Sequence, residues 1–79
     1  MSINMTDKQL VRVLRMRQVQ ERLGLGRSTI YDRMDPESPR YDSTFPRPIS
    51  LGSAAVGWIE SEINQWLQAR ASARSHNVH

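Results

Sequence analysis

The sequence predicts a small α+β domain of three helices and one β-hairpin, with the first two helices set as a helix-turn-helix. Three observations lead there. Two stretches of helical apolar spacing are separated by only Gly24-Leu25-Gly26. Two apolar segments, 49–51 and 55–58, flank a Gly-Ser-Ala turn. A third stripe then recurs at helical spacing through Ile59, Ile63, Trp66 and Leu67.

Taken in order, residues 1–9 are polar and unpatterned and are expected to form a flexible N-terminus. Val11, Val13 and Leu14 alternate with arginines and read as a short strand. The period changes near Arg17: Met16, Val19 and Leu23 fall on one helical face, with polar residues on the rest. Gly24 stands where a C-terminal glycine takes a left-handed conformation and stops the helix. Leu25, alone between two glycines, reads as the plug of the corner. The second helix begins at Arg27, buries an edge through Ile30 and Met34, and ends before Pro36. With so short a turn the two helices must cross steeply.

Residues 35–48 hold all four prolines and read as a loop, with Tyr41 and Phe45 expected to fold back on the core. The hairpin of 49–58 follows, then a last helix from about Glu60. Glu60 and Glu62 in its first turn, and Arg70 and Arg74 near its end, suit the helix dipole. Trp58 and Trp66 read as core residues. The domain is expected over 10–72, with a flexible tail over 73–79. No internal repeat is visible.

Composition narrows the function. The 79 residues allow one thin-cored domain, burying about 60% of the unfolded chain's surface. Cysteine is absent, which removes disulfides and thiolate metal sites. No apolar run reaches the roughly 20 residues of a membrane span, and the first ten residues lack a secretory pattern, so a cytoplasmic location is expected. The net charge is +3, and ten of the eleven basic residues are arginine, whose planar fork matches phosphates and guanine edges. A GC-rich genome would produce the same bias.

Catalysis finds no constellation. His76 and His79 lie in the tail, the carboxylates are scattered, and Gly24-Leu25-Gly26 lacks the Lys-Ser/Thr ending of a phosphate loop. The expectation is a non-enzyme with no cofactor and no metal. The second helix carries the opposite signal. Arg27, Ser28 and Thr29 occupy its first turn, with Tyr31, Asp32 and Arg33 a turn further on. Short polar and basic side chains there suit the major groove of duplex DNA: Arg27 or Arg33 for guanine, Ser28 or Thr29 for a base edge or phosphate, Asp32 for cytosine. Tyr31 would reach the backbone with its hydroxyl or pack on a thymine methyl. Thr29 equally reads as a packing residue, and Asp32 as the partner of a nearby arginine. Arg12, Arg15, Arg17, Arg22, Arg40 and Arg47 are candidates for phosphate contacts.

Residues 15–31, Arg-Met-Arg-Gln-Val-Gln-Glu-Arg-Leu-Gly-Leu-Gly-Arg-Ser-Thr-Ile-Tyr, resemble the first half of the AlpA family of prophage regulators. Phe45-Pro-Arg-Pro-Ile-Ser-Leu-Gly and Ala55-Val-Gly-Trp58 resemble its second half, the likeness running over about 10–72. The resemblance implies a winged, MerR-like helix-turn-helix related to phage excisionases, acting in transcription regulation of prophage or mobile-element genes. It places Arg27, Ser28, Thr29 and Tyr31 on the recognition helix and the hairpin, with Ser53 at its turn, on the wing. The family commonly has serine at Gly26 and often arginine at Ser53-Ala54; Arg47 stands near enough to take over part of that role. The implied partners are double-stranded DNA and either RNA polymerase or an integrase, in a bacterial, nucleoid-associated setting without a membrane. One copy has a small footprint, so a homodimer or cooperative tandem binding is expected on DNA. Two other readings remain open: an excisionase-like factor that bends DNA for a recombinase, and a protein-interaction adaptor.

Overall fold

A computed structural model of the protein describes residues 11–77, with side chains through residue 74. The elements run β1 (Val13–Leu14), α1 (Met16–Leu23), α2 (Arg27–Met34), β2 (Ile49–Ser50), β3 (Val56–Ile59) and α3 (Glu60–Asn77). The N-terminus expected over 1–9 lies outside the described residues, as does His79; the side chain of His76 is likewise outside them.

The corner between α1 and α2 is built as the glycines require. Gly24 has φ 67° and donates its N–H to Gln20 O, closing α1 in a left-handed cap. Gly26 begins α2 with no side-chain cap, as its lack of a hydroxyl dictates. Leu25 packs half-buried against the core between them. At the far end Asp35 is extended, the conformation favoured before a proline, so α2 stops there.

The strands form one three-stranded antiparallel sheet in the order β1-β3-β2. Val13 pairs with Ile59 and Leu14 with Trp58. On the other side Ile49 pairs with Gly57 and Ser50 with Val56. The expected hairpin is therefore present, with its turn widened to 51–55 and closed by Leu51 N–H donating to Ala55 O at 2.7 Å. Ile59, read in the sequence as the first residue of the helical stripe, belongs to β3 instead. Pairing with Val13 holds it extended, and the helix starts one residue later.

Leu14, Val19, Ile30, Phe45, Trp58, Ile63 and Trp66 make the core, so every element except β2 contributes to it or the loop does. Phe45 meets Trp66 edge-to-face at 5.0 Å. Tyr41 departs from expectation. It stays half-buried outside the core cluster, and its hydroxyl accepts from Arg47 Nη2 at 3.1 Å. Leu67 also departs, being 41% exposed: the buried face of α3 ends at Trp66.

α3 itself continues to Asn77, where the sequence reading placed a tail over 73–79. The segment Gln68-Ala-Arg-Ala-Ser-Ala-Arg74 contains good helix formers and neither glycine nor proline, so nothing local stops the helix once packing has nucleated it. Among the described residues no helix is long and apolar enough to cross a membrane.

One loop residue holds the long connection in place. Asp42 donates its N–H to Arg33 O, and its carboxylate accepts from the Thr44 N–H and hydroxyl, and from Trp66 Nε1 at 3.2 Å. Arg70 lies 3.5 Å from the same carboxylate. The loop is thereby tied to both α2 and α3.

Candidate nucleic-acid interface

α2 divides into two faces at its 3.6-residue period. Ile30 is fully buried, with Thr29, Arg33 and Met34 half-buried beside it. Arg27, Ser28 and Tyr31 stand on the opposite, exposed face, and Asp32 flanks them. Eight residues make a rod about 12 Å long, comparable to the width of the major groove. The helix is thus anchored by one side and offers a basic, hydroxyl-bearing side to solvent.

The residues expected to read bases separate on this structure. Arg27 lies with its guanidinium carbon 5.8 Å from the centroid of the Tyr31 ring, an i,i+4 cation–π pair on the outer face. Thr29 is half-buried, in keeping with a packing residue. Asp32 lies 3.5 Å from Arg40 Nη1, so the carboxylate offered for cytosine already faces a cation. Arg33 sits toward the core side, with its Nε buried and without a hydrogen-bond partner among the described residues. It is placed less favourably for a base edge than Arg27, because its stem runs along packed surface.

The residues expected to hold phosphates also separate. Arg12, Arg15 and Arg17 are exposed, and none of their guanidiniums has an ion-pair or hydrogen-bond partner among the described residues. Gln18 caps the start of α1 by accepting from Arg15 N–H at 2.9 Å. Arg22 is different. Its two terminal nitrogens donate to Asn64 Oδ1 and Glu60 Oε2, each at 2.8 Å, which clasps α1 to α3. A guanidinium so occupied is a structural tie before it is a phosphate ligand. Arg40 is 69% exposed beside α2, and Arg47 reaches from the loop to Tyr41. Ser53 stands exposed in the turn between β2 and β3.

Sequence reasoning missed the clasp and the Asp42 hub. Glu60 and Asn64 are spaced i,i+4, a visible sign of a shared face, but nothing in the chain says which cation meets them. Elsewhere, an open cleft between the loop and α3 is lined by Thr44, Pro46, Glu62, Trp66 and Arg70, with Arg70 stacked over the Trp66 ring at 4.8 Å. Among the described residues no group of three or more His, Cys, Asp or Glu could hold a metal ion.

A helix-turn-helix with a β-hairpin beside it and an arginine-led outer face is the arrangement the family resemblance implied. The family model described as prophage CP4-57 regulatory protein (AlpA) matches residues 12–71. The chain belongs to the AlpA family. It is 50% identical over 66 residues to the DNA-binding transcriptional activator AlpA of Escherichia coli (strain K12), covering 84% of this chain and 94% of that protein. It is also 36% identical over 63 residues to the uncharacterized protein ORF88 of Enterobacteria phage P4, covering 80% of this chain and 65% of that one. No solved structure matches the chain significantly. The AlpA match spans all three strands, both helices of the corner and the packed part of α3, so the α+β winged helix-turn-helix is one unit of homology and of structure.

Proposed function

We propose that this AlpA-family chain is a transcription regulator of prophage or mobile-element genes that binds specific double-stranded DNA, with α2 entering the major groove. The observation that carries the reading is the exposed Arg27, Ser28 and Tyr31 face of α2, held away from the core by the Gly24 corner. The name of the E. coli relative, a DNA-binding transcriptional activator, supports it independently. Arg12, Arg15 and Arg17, without an ion-pair partner among the described residues, supply positive charge for the phosphate backbone, and the hairpin acts as the wing. An eight-residue helix reads only a few base pairs. Two copies on neighbouring half-sites, as a dimer or by cooperative tandem binding, supply the footprint a promoter needs. Activation further calls for RNA polymerase as the partner at that promoter. The function resides in the nucleoid and uses no enzymatic step.

Fluorescence anisotropy of the full chain on the upstream region of its own operon, run from about 50 to 200 mM salt, tests the reading. The expected result is an affinity falling log-linearly with salt, with a preference for one sequence persisting over scrambled duplex. Arg27→Ala is expected to cost about 1–3 kcal/mol and to relax preference at one base pair. Arg40→Ala is expected to weaken all duplexes alike. Equal affinity for every duplex across the salt range would remove the regulator reading.

A further inference from the structure

The pairing of Arg27 with Tyr31 carries a consequence for which sequence is read. Both side chains lie on the exposed face of α2, one turn apart, with the guanidinium 5.8 Å from the ring centroid. Tyr31 is 48% exposed and lies outside the core cluster, so its ring faces solvent beside Arg27. A cation–π contact uses none of the guanidinium's hydrogen-bonding capacity, so the N–H donors of Arg27 stay free. An arginine so placed keeps the fork that guanine requires, and loses less side-chain freedom on binding than a solvated one.

The geometry then constrains Tyr31. A guanidinium forked onto guanine O6 and N7 lies in the plane of that base pair. A ring centred 5.8 Å from that guanidinium is within reach of the neighbouring base pair, about 3.4 Å along the axis. At that level, on the major-groove edge, the apolar group on offer is the C5 methyl of a pyrimidine. We infer that Arg27 and Tyr31 act as one unit that reads a guanine together with the C5 methyl of an adjacent pyrimidine, Tyr31 being the residue that sets specificity for the methyl. This rests on α2 being the recognition helix. It goes beyond that reading by naming the step recognised.

In-vitro selection from a randomised duplex library, using the full chain, gives the site. Wild type is expected to select a guanine with thymine in an adjacent pair. Replacing that thymine by deoxyuridine deletes only the methyl, and is expected to weaken wild type about fourfold, the worth of one buried methyl. Tyr31→Ala should show no such loss on the same pair of duplexes while keeping the guanine, and Tyr31→Phe should behave as wild type, since the ring and not the hydroxyl makes the contact. A matched pair carrying cytosine or 5-methylcytosine at the position distinguishes the two natural sources of the methyl. If the methyl itself is read, 5-methylcytosine binds more tightly than cytosine, and only when Tyr31 or Phe is present. An equal penalty for deoxyuridine in wild type and Tyr31→Ala, or a selected site with no pyrimidine methyl beside its guanine, overturns the inference while leaving α2 as the reader. Selection of no sequence at all overturns both. Circular dichroism of each variant confirms the fold, which an exposed side chain should not disturb.

Discussion

A β-carbon built at Gly57 would land on Val13 Cγ1, with Leu51 Cδ1 at 3.1 Å and the Leu14 carbonyl oxygen at 3.2 Å. Gly57 sits in the central strand, opposite Ile49, where the two edge strands close over it. Its small size therefore matters here more than its backbone freedom, and it accounts for one residue of the Ala-Val-Gly-Trp block shared with the family. Gly57→Ala is expected to destabilise the domain by about 1–3 kcal/mol through overpacking, read as a lower midpoint in urea unfolding. An unchanged midpoint would show that Val13 and Leu51 move aside freely. The same scale explains why two of the arginines differ in kind. Arg27 is exposed on the outer face of α2, whereas the buried Nε of Arg33, without a partner among the described residues, marks a side chain that runs along the packed surface of that helix.

Among the elements, α1 and α2 depend on Gly24 for their angle, and Arg22 ties α1 to α3. Nothing lies within 4 Å of a β-carbon at Gly24, so the obstacle to substitution there is the positive φ alone. Gly24→Ala is expected to cost about 1–2 kcal/mol and to lower DNA affinity in parallel with stability, since a shifted corner re-aims α2. Chemical denaturation together with anisotropy would show whether the two losses move together. The clasp of Arg22 on Glu60 and Asn64 is a partly exposed tie, the Arg22 and Glu60 side chains being 36% and 24% exposed. Arg22→Ala should cost about 1 kcal/mol of stability, less in high salt, and should alter the salt slope of DNA binding little. A drop of a full unit in that slope would instead make Arg22 a phosphate ligand.

For the whole molecule, Asp42 is a charge through which stability responds to acid. Hydrogen bonds from Thr44 hold its carboxyl below the ordinary aspartate range. Burial pushes the other way, and Trp66 and the nearby Arg70 add to the lowering. A carboxyl whose folded pKa is depressed contributes stability that is fully present above its unfolded value, about 3.9, and is lost as pH falls through the folded value. The stability gap between wild type and Asp42→Asn should therefore be largest near neutral pH and should narrow below about pH 4. A gap independent of pH would show that the carboxylate's charge does not matter to the loop. Because the Asp42 carboxylate bonds α3 through Trp66, losing its charge should also loosen the connection that carries Arg40 and Arg47, while the backbone bond from Asp42 N–H to Arg33 O remains.

The elements legible along the chain are those whose cause is local. Gly24 and Pro36 bound the two short helices, the 3.6-residue spacing of Val19 and Leu23 sets the inner face of α1, and Ser28 and Tyr31 fall on the outer face of α2 by period alone. The hairpin followed from its turn residues, and the Arg-Ser-Thr-Ile-Tyr block pointed to the family. What stayed hidden depends on partners distant in sequence. The chain could not show that β1 pairs with β3, that Arg22 finds Glu60 across 38 residues, or that Asp42 binds Trp66 across 24. Nor could it show that α3 turns Leu67 outward and runs on to Asn77. Periodicity records how a segment meets an apolar surface, whereas folding chooses which surface that is and which charges meet across it.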